Sequence, residues 1–342
     1  MASTKSRKPR VALIGSDTLR GKEIASVLAA KKFPVASFEL FDPDVEEEYS
    51  KLSQFGDEAK VVHGLSPAAL EGLDLVFLAA DVATNRRYGS LAAEKDYQAV
   101  DLGETFNADE KIPLVVAGIN DAGLGRARPA LVANPHPAAI MLAHILATLR
   151  TGFGVARAVA VVLEPASAYA EEGIQELAEQ STALLGGGSA CQHVFQASLA
   201  FNLLAHSSRA ERKDAVPLEI RLAGEVRRVL GPASPPLSVS VILAPVFHTY
   251  STMAHVELNR AAAVADLKAR FKANDIFKLA APGDEARVSP TAVAGKDRIH
   301  LGEIKKDPTL EKSFWIWAIA DNLTVGSALN AYGIARALVG EA

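Results

Sequence analysis

One cysteine, Cys191, is all that the 342 residues contain. That excludes an internal disulfide framework and any site built from several thiolates, and it fits a reducing compartment. Long apolar runs are missing too. Nothing approaches the roughly 20 uninterrupted apolar residues of a membrane span, and no signal-like apolar core follows Met1. These absences predict a cytoplasmic protein with no membrane partner. Nor is charge of one sign in excess: the formal net charge is -4, with acids and bases interspersed. No extended basic footprint is offered to nucleic acid. Lys5, Arg7, Lys8 and Arg10 form a short basic start that reads as a solvated tail.

What is present is the balance of a globular chain, with 49% hydrophobic and 22% charged residues. At roughly 150 residues per domain the length predicts two domains. Arg10 to Ile14 (RVALI) is an apolar run that meets Gly15 and a turn. Ile24, Val27 and Leu28 then recur at helical spacing up to Phe33 and Pro34. Val35 to Phe41, Leu73 to Ala79, Ala99 to Leu102 and Pro113 to Val116 read as further strands with helical stretches between several of them. Strands alternating with helices predict a Rossmann-like α/β domain, a parallel sheet covered on both faces, over residues 1–133.

Beyond Asn134 the pattern changes. Ala156 to Leu163, Leu237 to Phe247, Met253 to Leu258, Arg298 to Ile304 and Phe314 to Ala320 are candidate strands, and Ile174, Leu177, Ser181 and Leu184 mark one helix face. Turn signals such as Gly186 to Gly188 and Gly231 to Pro236 separate them. An α+β domain with a mainly antiparallel sheet is predicted over 134–320. Trp315 and Trp317 are expected to pack against two different layers. The segment 321–342 opens with Asp321 and Asn322 as candidate N-caps and carries Val325, Ala328, Leu329, Tyr332 and Ala335 on one stripe. It is expected to complete the first domain.

The stretch Ile14-Gly15-Ser16-Asp17-Thr18-Leu19-Arg20-Gly21 has the layout of a dinucleotide loop, in which glycines let backbone N–H groups at a helix N-terminus face a pyrophosphate. Gly15 and Gly21 are in place. Thr18 stands where a middle glycine would be, and a β-branched residue is restricted in backbone and adds bulk there. Asp17 adds a carboxylate to the turn, which Arg20 is positioned to offset. A weakened site for NADP or NAD is the expectation. Asp42, at the end of the second strand, either receives a ribose 2'-hydroxyl, favouring NAD, or belongs to an ordinary Asp-Pro turn.

Several segments occur in an order that resembles one family: Pro113-Leu114-Val115-Val116, Ala133-Asn134-Pro135, Gly173-Ile174-Gln175-Glu176-Leu177, Ala200-Phe201-Asn202, Ala244-Pro245-Val246-Phe247, Gly295-Lys296-Asp297, Asp321-Asn322-Leu323 and Gly326-Ser327-Ala328-Leu329-Asn330. Together they resemble aspartate-semialdehyde dehydrogenase from about residue 10 to 338. The resemblance implies an NADP-dependent reduction of an acyl phosphate through a cysteine thioester, in a homodimer paired through the second domain. It places Asn322 near the cofactor.

The same alignment of motifs implies that the chemistry is missing. The family's nucleophile follows A-N-P-N, and the match here, Ala133-Asn134-Pro135-His136-Pro137, puts Pro137 at that position. The family's base lies in P-V-x-x-G-H-S, which reads Pro245-Val246-Phe247-His248-Thr249-Tyr250-Ser251, so Tyr250 replaces it. A phenol with an ordinary pKa near 10 is a poor base at neutral pH. The substrate glutamine falls at Glu164, and the two substrate arginines fall at Asn107 and Leu243. Loss of a nucleophile alone can cost on the order of 10⁶ in turnover. The chain thus resembles the Usg-type paralogues of the dehydrogenase, with which Asn202-Leu203-Leu204-Ala205 and Ala244-Pro245 agree. The expectation is an inactive homologue with a scaffold, partner or ligand-sensing role. The alternative is an oxidoreductase acting on a different aldehyde or acyl substrate through a remodelled site.

Among the remaining residues, Cys191 reads as inert rather than as a relocated nucleophile. Glu219 and Arg221 are either a surface ion pair or a surviving fragment of the family's site. His136 and His248 flank the altered positions and are candidates for spatial neighbours. No metal site is expected, because no third ligand accompanies them.

Overall fold

The computed structural model describes residues 7–45, 51–56, 58–205 and 216–340. Of the basic start, Lys5 lies outside them. The strands are β1 (Arg10–Ile14), β2 (Ser37–Asp42), β3 (Lys51–Phe55), β4 (Glu58–Gly64), β5 (Leu75–Leu78), β6 (Gln98–Asp101), β7 (Leu131–Ala133), β8 (Val155–Glu164), β9 (Leu204–Ala205), β10 (Leu237–Leu243), β11 (Tyr250–Leu258), β12 (Phe277–Leu279), β13 (Ile299–Lys306) and β14 (Ser313–Ala320). The longer helices are α1 (Leu19–Ala30), α2 (Val82–Ser90), α3 (Pro137–Phe153), α4 (Ala170–Leu185), α5 (Leu218–Leu230), α6 (Val264–Lys272) and α7 (Asn330–Val339). Two compact units result, one made of residues up to Pro135 with those from Ser327 onward, the other of His136–Gly326.

In the first unit the sheet order is β3-β4-β2-β1-β5-β6-β7. Every pairing is parallel except the β3–β4 hairpin at one edge. Burial of Val11, Leu13, Leu75 and Phe77 gives the apolar runs their reason. The core they form also takes in Ala328, Ala331, Ile334, Ala335 and Leu338 of the C-terminal segment. Pro113 to Val116, expected as a strand, makes only an isolated bridge between Leu114 and Ala133. Backbone bonds to β7 are limited to Val115 N–H with Ala133 C=O (3.1 Å) and Ala133 N–H with Pro113 C=O (2.9 Å), and side chains take up other groups: Asn120 bonds Val116 N–H (2.8 Å) and Leu114 C=O (2.9 Å), and Asn330 bonds Ala117 N–H and Val115 C=O (2.8 Å each).

In the second unit the order is β12-β13-β14-β11-β8-β10-β9, antiparallel except for β12–β13 and β8–β10. Helix α3 is buried from Ala138 to Leu146 without a polar face, as a central core helix must be. The expected strand Leu237 to Phe247 stops at Leu243, before Pro245. Trp315 and Trp317 lie on one face rather than two, since residues two apart on a strand share a side. They sit opposite His255 and Met253, with their indole N–H groups donating to Asp307 Oδ2 and Val288 C=O, each at 3.1 Å. Asp321 caps the chain after β14 by accepting from Leu323 and Thr324 N–H, both 2.9 Å. Asn322 does not act as a cap.

Candidate functional site

The first unit carries the glycine loop. At Gly15 the backbone is left-handed (φ +86), and a Cβ would lie 2.5 Å from Ala80 N. A Cβ on Gly21 would lie 2.0 Å from Gly15 O. Neither position tolerates a side chain, so the tight turn depends on both. Thr18 behaves differently from the expectation. It is the N-cap of α1, at φ -68 and ψ 160, an extended conformation that a β-branched residue adopts freely. Its Oγ1 accepts Gly21 N–H at 3.0 Å and lies 3.0 Å from both Gly15 O and Ala79 O. The side chain is thereby folded back on the strand ends. The N–H groups of Leu19 and Arg20 have no acceptor among the described residues, at the positive end of a 12-residue helix.

The charges around the loop also differ from the sequence expectation. Asp17 is ion-paired with Lys51, a hydrogen bond that pushes the lysine pKa up. Arg20 is turned to Glu104 at 3.0 Å, so Lys51 and not Arg20 offsets the acidic turn. Asp42 is buried and accepts from Ser16 Oγ at 2.8 Å. Burial pushes its carboxyl above the usual range. Asn107 is buried in the loop after β6. Asp101 fastens that loop by accepting Gly103 N–H (2.9 Å) and Phe106 N–H (3.1 Å), and burial pushes its carboxyl up to about 6.

The second unit holds the residues that resemblance sets at the reacting positions. His136 is the N-cap of α3, with Pro137 at the first helical position, where a missing N–H costs nothing. The Pro137 ring fills the space beside Gly326, on which a Cβ would lie 2.4 Å from Pro137 Cβ. His136 Nδ1 accepts Ala138 N–H at 3.1 Å, so the neutral ring carries its proton on Nε2. That Nε2 lies 3.2 Å from Tyr250 Oη. Tyr250 Oη in turn donates to Glu164 Oε1 at 3.2 Å, and Tyr169 Oη donates to Glu164 Oε2 at 3.2 Å. The backbone N–H of His136 donates to Glu225 Oε2 at 2.7 Å. All of these except Tyr169 are buried.

This chain can hold a proton and pass it between phenol, imidazole and carboxylate, but the pyrrolidine ring of Pro137 offers no nucleophile for covalent catalysis, since its nitrogen lone pair is delocalised into the peptide bond. His136 meets Tyr250 edge-on, with ring centroids 5.2 Å apart, where the sequence had pointed to His248 as its neighbour. Glu225 escaped the sequence reading. Its signal was a carboxylate on the apolar stripe of α5, between the buried Leu222 and Val229. Glu219 accepts Val241 N–H at 3.4 Å, tying α5 to β10. Leu243 is fully buried in a cluster with Leu177 and Phe195. Asn322 is engaged within the unit, accepting Thr249 N–H at 3.0 Å and bonding Ser167 Oγ at 3.1 Å. Thr249 itself is left-handed (φ 78) and buried, with a hydroxyl that has no hydrogen-bond partner among the described residues.

Cys191 belongs to none of this. Its Sγ lies 3.6 Å from Glu179 Oε2, and partial burial, then the Glu176 and Glu179 carboxylates, push its pKa up. A thiol shifted in this direction ionises less readily than an ordinary cysteine. The neighbouring motif residues are structural. Glu176 accepts the N–H groups of His193 (2.8 Å), Val194 and Phe195 (3.1 Å), and Gln180 accepts those of Leu199 (2.7 Å) and Ala200 (3.0 Å). Among the described residues no three His, Cys, Asp or Glu side chains converge as metal ligands, and no helix is long and apolar enough to cross a membrane.

Two family patterns cover most of the chain: the semialdehyde dehydrogenase NAD binding domain matches residues 10–127, and the semialdehyde dehydrogenase dimerisation domain matches 146–325. The chain belongs to the semialdehyde dehydrogenase family. A USG-1 protein homolog of Azotobacter vinelandii is 30% identical over 332 residues, covering 96% of this chain and 97% of its own length. The aspartate-semialdehyde dehydrogenase of Rickettsia bellii is 25% identical over 335 residues, covering 97% and 98%. In fold, the chain is similar to aspartate semialdehyde dehydrogenase II of Vibrio cholerae complexed with ASA, with a TM-score of 0.90 at 24% identity over 98% of this chain and 99% of that one.

Proposed function

We propose that this family member does not run a thioester reaction and acts as a homodimeric, nucleotide- or metabolite-binding homologue of aspartate-semialdehyde dehydrogenase. The observation that carries the reading is Pro137 at the start of α3, where the family's thiol is expected. Its ring is wedged against Gly326, and Tyr250 Oη bridges His136 Nε2 and Glu164 Oε1. Asn107 and Leu243 offer no cation in place of the two substrate arginines, and Glu164 sets a carboxylate against an anionic substrate. Incubating the protein with aspartate semialdehyde, phosphate and NAD or NADP is expected to yield no reduced nucleotide. Turnover that a single site substitution abolishes would overturn the reading.

The residues of the first unit fit a dinucleotide. Gly15 and Gly21 leave a cradle that a Cβ would fill, Thr18 is folded away from it, and the Leu19 and Arg20 N–H groups are open to a pyrophosphate. A nicotinamide nucleotide bound there would supply hydride chemistry; this chain's residues would hold its phosphates. A relative of the fold, from Candida albicans, is described with NADP. Self-association is supported by the dimerisation pattern and by the open sheet face on which Val159 is 48% exposed beside Trp315 and Trp317. Light scattering is expected to give twice the chain mass.

A further inference from the structure

We propose that the first unit selects a dinucleotide without a 2'-phosphate, so that NAD(H) binds in preference to NADP(H). The proposal rests on the reading above that the Gly15–Gly21 loop cradles a dinucleotide. In a strand-turn-helix site of this kind, the adenosine ribose lies beside the end of the second strand, where a carboxylate accepts from its hydroxyls. That position is Asp42, the last residue of β2. Ser16 Oγ, from the loop itself, holds one carboxylate oxygen at 2.8 Å. A carboxylate has about four lone-pair sites, so acceptor capacity remains for a ribose hydroxyl.

A 2'-phosphate would add a charge of about -1.5 to -2 at this point. Among the described residues, the charged groups gathered there are Asp42, Asp17 from the loop, Asp44 just past β2, and Lys51 from β3, with Lys51 close enough to act electrostatically on all three carboxylates. Among the described residues three carboxylates thus stand against one ammonium, and that ammonium is already paired with Asp17. Arg20, the other cation of the loop, is drawn off to Glu104. Two features therefore point the same way: an acceptor placed for a hydroxyl, and a negative field placed against a phosphate.

The test is titration of the full chain with NADH and NADPH, read by nucleotide fluorescence and calorimetry at low and physiological salt. NADH is expected to bind at least tenfold more tightly, with the gap narrowing as salt screens the field. Asp42→Asn, which keeps the shape and removes the charge, is expected to shrink the preference severalfold, chiefly by admitting NADPH. Tighter binding of NADPH, above all if Lys51→Ala abolishes it, would overturn the proposal, as would an unchanged preference in the Asp42 variant. Failure of both nucleotides to bind at millimolar concentration would remove the dinucleotide reading itself and this selectivity with it. That outcome differs from binding with the wrong preference.

Discussion

Replacing Thr249 by glycine is expected to stabilise the second unit, although it shortens a fully buried side chain. Thr249 has φ 78, a region that costs a β-branched residue about 1–3 kcal/mol. Its hydroxyl is buried without a hydrogen-bond partner among the described residues, a further burden of about 1–3 kcal/mol. The residue persists there because Asn322 Oδ1 holds its N–H and the sheet pairing of β11 fixes the backbone from Tyr250 onward. Glycine removes both burdens. Against this stand about 0.5–1 kcal/mol of extra chain entropy and about 0.8 kcal/mol for the lost methyl. The net gain falls between roughly 0 and 5 kcal/mol, about 2 at the middle of the ranges, and each kcal/mol is worth about 2–4 °C in Tm for a unit of this size. Calorimetric melting of the wild type, Thr249→Gly and Thr249→Val separates the contributions, because valine keeps the strained backbone and removes only the stranded hydroxyl. Both are expected to melt higher, glycine the most. A glycine variant that melts below wild type would refute the strain argument.

Other perturbations have equally definite outcomes. Burial in α3 pushes His144 down to about 4, so the folded chain keeps it neutral while the unfolded chain takes up a proton below about 6.5. Stability is then lost as pH falls from about 6.5 to 4 and the loss levels off below. Between pH 7 and 5, His144→Leu should lose roughly 2 kcal/mol less than wild type in urea titrations. Gly21→Ala should cost about 1–3 kcal/mol because its Cβ meets Gly15 O at 2.0 Å. Gly224→Ala on α5, where a Cβ meets nothing within 4 Å, should stabilise by about 0.5–1 kcal/mol. Pro137→Cys alone should give no reduced nucleotide from aspartate semialdehyde and phosphate, since Tyr250, Glu164, Asn107 and Leu243 remain; turnover blocked by thiol alkylation would contradict this.

The sheets were legible where burial on both faces made strands into apolar runs, as in RVALI of β1 and the run at β5. The β3–β4 hairpin was not, because Lys51–Phe55 and Glu58–Gly64 are mostly exposed and carry no such run. Pro113 to Val116 misled for the opposite reason: its apolar side chains are buried, but its backbone pairs with β7 only around Ala133, and asparagine amides bond the rest. The glycine loop was found from spacing, yet Thr18 was misjudged, since the need for glycine depends on φ, and φ at a helix cap is that of an ordinary extended residue. Glu225 and the pairing of His136 with Tyr250 could not be read from the sequence, because they join residues separated by 89 and 114 positions.

Asn330 bonds Val115, Ala117 and Asn134 at once, and the helix it begins packs into the core of the unit that was synthesised first. A nascent chain emerging from the ribosome therefore has its first sheet ready long before the piece that closes it. Until α7 is made, the early strands lack part of their apolar cover, so deleting that helix exposes core surface on strands far earlier in the sequence.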